Sequence, residues 1–208
     1  MRIGIIGAGS VGAGIGLAWI EGGHDVRWGV RDPGKYPDLP AERLLDPVQS
    51  IDGAEAILLA TPWPSTEAAI AALGDLTGRI IIDATNPLNM GEAGLELTIG
   101  FTTSGGEQVA AWASGARVYK TLNQTGSDNM GNGRRYAKPS AMFVAGDDAA
   151  GKALVTGLVA DLGFAPADAG PLRNARLLEP LAMLWIDQAW NRGRGLDFAF
   201  TIETPSPD

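Results

Sequence analysis

The sequence predicts an α/β fold built on a doubly wound parallel sheet, and three observations carry that prediction. An apolar run, Ile3, Ile5 and Ile6, leads directly into Gly7-Ala8-Gly9-Ser10-Val11-Gly12, so that a G-x-G-x-x-G spacing lies between a strand-like and a helix-like segment. Strand-like and helix-like stretches then alternate as far as Thr121. The segments that follow the predicted strands are rich in Thr, Pro and Asn, the composition of loops rather than of continuing strands. Together these features give a Rossmann-type nucleotide-binding architecture.

The first strand is predicted over residues 2–7 and the first helix over 10–21. That helix is rich in Gly and Ala, a composition poor in intrinsic propensity, so packing against the sheet must hold it. Gly22-Gly23 ends it, and the second strand follows over 25–30. His24, the only histidine, falls at the amino end of that strand. Ligands of such sheets bind beyond the carboxyl ends, which makes His24 a structural residue. Residues 33–47 read as loop with a short helical piece over 41–45.

A third strand, 54–60, is apolar enough to be buried on both faces. Pro62 and Pro64 stop it, and Ser65 is expected to cap a helix running to residue 73. A fourth strand covers 79–83. Residues 88–104 form a long glycine-containing excursion, read as a functional loop. A helix over 106–114 and a fifth strand over 117–121 complete the alternation. Beyond a polar, glycine-rich stretch at 124–139 come a strand (141–145), a helix (148–162), a short strand (164–167) and a last helix (174–190). Leu177, Leu181, Leu184, Trp185 and Gln188 form one stripe of that helix, expected to meet the core or a dimer partner. The organisation expected is one domain over 1–208: a dinucleotide-binding core (1–122), a small α/β extension (123–200) and a flexible tail (201–208).

The 208 residues are 45% hydrophobic and 19% charged, with a net charge of −8. That charge argues against nucleic acid and anionic membrane as partners. There is no cysteine, which excludes disulfides, thiolate metal sites and cysteine nucleophiles, and no metal site is predicted. The apolar start lacks a charged leader beyond Arg2, and no stretch approaches the roughly 20 apolar residues needed to span a bilayer. A cytoplasmic, soluble protein is expected.

In the glycine motif, Gly7 serves the tight turn, Gly9 lets backbone approach a pyrophosphate, and Gly12 permits close helix–strand packing. Ser10 and Val11 open the helix whose N-terminus offers free N–H groups to phosphate. At the tip of the second strand an acidic residue would indicate NAD and a basic one NADP. Asp32 has the right spacing for the former; Arg31, with Lys35 near it, has the right charge for the latter, and Gly29 leaves room for a 2′-phosphate. The balance favours NADP. The carboxyl ends of the other strands bring Thr61, Pro62, Trp63, Thr85, Asn86, Pro87, Leu122 and Asn123 to the same crevice. Thr and Asn there can hydrogen-bond a carboxamide or ribose, and Trp63 is either an aromatic wall or packing beneath a loop. Asn86-Pro87 is equally a turn initiator.

Oxidising an alcohol or amine requires a positioned base, and none stands out; Tyr119 and Lys120 lie in a strand, Lys138 in a loop. No catalytic side chain is assigned. Hydride exchange with a second redox cofactor makes weaker proton-transfer demands, because that cofactor carries the chemistry.

The sequence resembles the NADP-dependent oxidoreductases that use the deazaflavin coenzyme F-420. The resemblance rests on the glycine fingerprint, Gly23-His24 before the second strand, Arg31 after it, Thr61-Pro62-Trp63, Asp83-Ala84-Thr85-Asn86-Pro87, Lys120-Thr121-Leu122-Asn123, and the downstream run Asp168 to Glu179. It implies NADP at Gly7–Gly12 and Arg31, a deazaflavin or flavin above the nicotinamide in the crevice, and a homo-oligomer such as a homodimer. Members commonly place Ser before that Arg, where this sequence has Val30. Two other functions fit the same motifs: an NADPH-dependent reductase of a small ketone or imine, and a non-catalytic NADP-binding sensor or interaction module. The former normally adds a helical domain of about a hundred residues, a wall that is expected here only from a dimer partner.

Overall fold

Segments whose side chains are apolar on both faces become the centre of the sheet. In the computed structural model, which describes residues 1–92 and 94–205, these are β1 (Arg2–Ile6), β4 (Ala56–Leu59) and β5 (Ile80–Asp83), buried almost throughout. Flanking them are β2 (Asp25–Gly29), β3 (Leu44–Leu45), β8 (Arg117–Lys120), β9 (Ala141–Gly146) and β10 (Ala165–Asp168). The resulting eight-stranded sheet has the order β10-β9-β8-β5-β4-β1-β2-β3. Its direction of growth reverses between β1 and β4, which opens a crevice at their carboxyl ends.

Most neighbours run parallel, as predicted. The exception is β8 with β9, which pair antiparallel, Tyr119 with Gly146 and Lys120 with Ala145. Periodicity carries no information on strand direction, and the route through 124–140 reverses the chain. The strands after residue 123 thus extend the same sheet.

Helices α1 (Ser10–Glu21) and α6 (Ala149–Asp161) cover one face, and α3 (Trp63–Ala71) and α4 (Gly105–Trp112) the other, each over its own apolar cluster. The glycines of α1 let the sheet come close. A β-carbon on Gly16 would stand 2.3 Å from the Trp28 ring, while Trp28 Nε1 donates to the Gly12 carbonyl at 2.9 Å. Tertiary packing therefore replaces propensity, as the composition requires. His24 joins α1 to α6 through Asp161 at 3.1 Å, far from the crevice end of its strand.

Several boundaries differ from expectation. The third helix starts at Trp63, not after Ser65; Pro62 occupies the cap position and no side chain caps the helix. The excursion at 88–104 contains an antiparallel hairpin of β6 (Leu88–Gly91) and β7 (Gly94–Leu97). Residues 47–50 form a short helix, α2 (Pro47–Ser50), and 127–130 another, α5 (Ser127–Met130), where no helix was expected.

The last helix, α7 (Ala175–Ile186), turns a different stripe inward. Ala175, Leu178, Glu179, Ala182 and Trp185 are buried, whereas Leu177 is 66% and Leu184 49% exposed. Two apolar stripes lie side by side on this helix, and contact with α4 and β7 selects between them. Of the expected tail at 201–208, residues 206–208 lie outside the described residues. Among the described residues no helix is long and apolar enough to cross a membrane.

Candidate functional site

The crevice has two halves. At the end of β1 the chain turns through Gly7, whose φ of +101° is a conformation natural to glycine. A β-carbon on Gly7 would also lie 2.7 Å from the Ala60 carbonyl oxygen, and one on Gly12 only 2.2 Å from that of Gly7. Gly9 differs: among the described residues nothing lies within 4 Å of its virtual β-carbon, so its smallness serves open space above the turn. No side chain caps α1, which leaves the N–H groups of Ser10, Val11 and Gly12 at a positive helix end suited to an anion.

Beside this turn lies a cleft of about 520 Å³ lined by Gly7, Gly29, Val30, Arg31, Tyr36, Thr61, Pro62 and Ser65, among others. Arg31 is exposed at its rim. Asp32 instead accepts a hydrogen bond from the Gly34 amide at 3.2 Å and so completes its own turn. Lys35 lies outside this lining, 73% exposed and 3.9 Å from Asp32. Gly29 lacks a side chain for a second reason as well: a β-carbon there would meet Ser50 Oγ at 2.5 Å and Pro47 Cα at 2.9 Å. Thr61 and Thr66 share a hydroxyl hydrogen bond of 2.9 Å. Trp63 does not line the cleft; its ring packs 5.2 Å from that of Trp112, between α3 and α4.

The second half lies at the ends of β5 and β8. Asn86 Nδ2 donates to the Asn123 carbonyl and Asn123 Nδ2 to Asn86 Oδ1, both at 3.0 Å. Gln124 Nε2 donates to Asn123 Oδ1, also at 3.0 Å, and fixes that amide from behind. Pro87 is buried, and its carbonyl accepts from Thr98 N and Oγ1 at 2.8 and 3.0 Å. Leu122, fully buried, holds a left-handed backbone with φ of +56°, a strained conformation for a branched residue.

Under this end sits an ionic cluster that sequence reasoning missed. Lys120 Nζ lies 2.9 Å from Asp83 Oδ2, 3.0 Å from Glu179 Oε1 and 2.6 Å from the Thr85 carbonyl oxygen. The three side chains are 0–1% exposed. Burial by itself would lower the Lys120 pKa, but the Asp83 and Glu179 carboxylates outweigh it and hold the ammonium above its ordinary value. Asp83 Oδ1 accepts from both the amide and the hydroxyl of Thr85, at 2.9 and 2.6 Å. Glu179 reaches across from α7 and accepts from the first amides of α4, Gly105 at 2.9 Å and Gly106 at 3.0 Å. All three members stand in the motifs that carry the family resemblance. A lysine inside a buried strand was the available signal, since such a charge must find partners.

The N-terminal portion, residues 2–87, matches the family model of NADP oxidoreductases that are coenzyme F-420-dependent. A crystal structure from Arthrobacter sp. FB24, proposed as an F-420-dependent NADP reductase, is 33% identical and covers 98% of this chain and 100% of its own, with a TM-score of 0.88. The metalloreductase STEAP3 of Rattus norvegicus is 25% identical over 190 residues; the match takes in 88% of this chain but only 37% of that protein's length. A reductive aminase from Aspergillus terreus, solved in complex with NADPH4, cyclohexanone and allyl amine, shares the fold at a TM-score of 0.66 and 21% identity, over 92% of this chain and 62% of that one.

Proposed function

The chain belongs to the family of coenzyme F-420-dependent NADP oxidoreductases, and from that premise we propose that it exchanges hydride between NADP(H) and a deazaflavin or flavin. The diphosphate would lie over Gly9 against the amides of Ser10, Val11 and Gly12, because the space and the uncapped donors coincide there. Arg31, exposed at the cleft rim, is the 2′-phosphate partner, with Lys35 as a weaker, outlying charge. The nicotinamide end would extend past Thr61 and Pro62 toward Thr85, Asn86, Pro87 and Asn123. Trp63 supports the helix behind Pro62 rather than the ligand.

A nicotinamide supplies a hydride donor or acceptor when bound; the protein's residues bind it, orient it and exclude water. One observation carries the choice of a redox cofactor as the partner. The ionisable side chains nearest the ends of β5 and β8, Asp83, Lys120 and Glu179, are buried and locked to one another. Lys120 is held protonated, so it does not serve as a base at neutral pH. Hydride passage between two cofactors asks least of such a site.

The test is direct. Purified protein mixed with NADPH and oxidised deazaflavin coenzyme should bleach the visible absorbance of the deazaflavin as NADPH is consumed. Absence of turnover with the deazaflavin and with free flavins, alongside reduction of a cyclic imine, would overturn the reading. The same reading includes a homo-oligomer, favoured by the outward Leu177 and Leu184 of α7, which sedimentation velocity checks.

A further inference from the structure

We propose that Lys120 is a positioning residue: it fixes the carboxyl end of β5 at Thr85, and through Glu179 it ties the C-terminal helix to the nicotinamide half of the crevice. The inference rests on the placement of NADP proposed above.

An ammonium has three N–H donors and no acceptor; here it donates to Asp83 and to the Thr85 carbonyl and forms an ion pair with Glu179. With three oxygens at 2.6–3.0 Å, Nζ is held from three sides. Thr85 is held from both sides in turn. Its amide and hydroxyl donate to Asp83, and its carbonyl accepts from Lys120. Among the described residues nothing comparable restrains Thr61 at the neighbouring strand end, whose hydroxyl meets that of Thr66.

The cluster also joins separate parts of the chain. Glu179 lies on α7, yet both of its oxygens accept amides from the N-terminus of α4. Lys120 lies two residues before Leu122, whose left-handed backbone needs surroundings that over-determine it. Buried ion pairs of this kind often contribute no more stability than apolar side chains of similar volume. Their geometry is what an apolar replacement would lose. The cluster therefore acts as a rigid floor under Thr85 and Asn86, the place where a small displacement would most disturb a reacting ring.

Two variants and two ligands test this. Lys120→Met removes the donor, and Asp83→Asn/Lys120→Met removes it without leaving Asp83 charged and unpaired, while Glu179 keeps the amides of Gly105 and Gly106 in both. The ligands are NADPH and adenosine 2′,5′-bisphosphate, which carries only the adenosine half; binding is measured by calorimetry, and turnover alongside it. Both variants are expected to bind the bisphosphate within about twofold of the parent protein, bind NADPH about tenfold more weakly, and turn over about a hundredfold more slowly, as for a site displaced by about 1 Å. Unchanged NADPH binding and turnover, equal weakening of both ligands, or failure of both variants to fold would each assign the cluster to the scaffold and overturn the proposal. If the parent protein binds NADPH no better than the bisphosphate, it is the placement of the nicotinamide that fails.

Discussion

A β-carbon on Gly12 would stand 2.2 Å from the carbonyl oxygen of Gly7. The turn and the first coil of α1 thus touch backbone to backbone, and Gly7 cannot retreat because its own φ of +101° is set by the turn. Gly9, between them, has φ −68° and ψ −176°, open to any residue, with free space where its side chain would be. The two glycines should separate in experiment. Gly12→Ala is expected to cost about 1–3 kcal/mol from overpacking, a fall of some 2–4 °C in Tm per kcal/mol, with nucleotide binding lost as well. Gly9→Ala should leave Tm within about 1 °C yet weaken NADPH at least tenfold, since the added methyl enters the space assigned to the diphosphate. Thermal melts and fluorescence titrations measure both. A Gly9→Ala protein that binds NADPH normally would remove the phosphate from that position.

The proposed contact of Arg31 with a 2′-phosphate predicts a choice between the two nicotinamide nucleotides. A hydrogen bond to a charged group is worth about 1.5–3 kcal/mol, or roughly ten- to a hundredfold in affinity. Arg31→Ala should therefore raise the Kd for NADPH by that factor and leave NADH within about twofold, because only NADPH carries the 2′-phosphate. Lys35→Ala, at an exposed position outside the cleft lining, should move NADPH by no more than about threefold, the scale of a screened surface charge. An equal loss for NADPH and NADH in Arg31→Ala would show that the guanidinium does not meet the phosphate.

Trp63 is a packing residue, and its substitutions should sort accordingly. Its ring is 5.2 Å from Trp112 across the α3–α4 interface, and both are only partly buried. Truncation to Ala should cost about 2 kcal/mol, below the cost of a fully buried aromatic, and lower Tm by about 4–8 °C. Trp63→Phe should retain most of that stability, with NADPH affinity within about twofold. Normal stability combined with lost NADPH binding in Trp63→Phe would return the ring to the ligand.

The sequence spoke most clearly where its signals were local. The strand–glycine–helix unit was legible to within a residue, because φ preference, capping and period all act over a few positions. The hairpin at 88–97 and the antiparallel β9 were not, since pairing partner and direction are settled by the route of the chain. The α7 stripe was read as core or dimer contact without a choice between them for a related reason: Leu177 and Leu178 are adjacent leucines, and packing on α4 turns the second one inward. In the proposed site, the glycine turn and the place of Arg31 beside the cleft follow from local spacing. Lys120 and Asp83 meet across 37 residues, and no periodicity connects them.

The Arg176–Glu107 pair carries a prediction on acid stability. Arg176 donates from Nε and Nη2 to the two oxygens of Glu107 at 2.7 and 2.6 Å, joining α7 to α4, and Ser104 Oγ lies 2.7 Å from Oε2. The Arg176 hydrogen bonds, more than any other contact, hold the Glu107 carboxyl below its ordinary value of 4.5, against an opposing effect of burial. A carboxyl whose pKa is lower folded than unfolded stabilises the folded state fully above 4.5 and loses that contribution as pH falls through the folded-state value. Stability should thus decline in the acid range below 4.5 in the parent protein. Glu107→Gln should melt a few degrees lower at pH 7 and show a shallower acid decline, so that the two curves converge as pH falls below 4.5. Parallel curves across the range would mean that the carboxylate contributes nothing to holding α7 against α4.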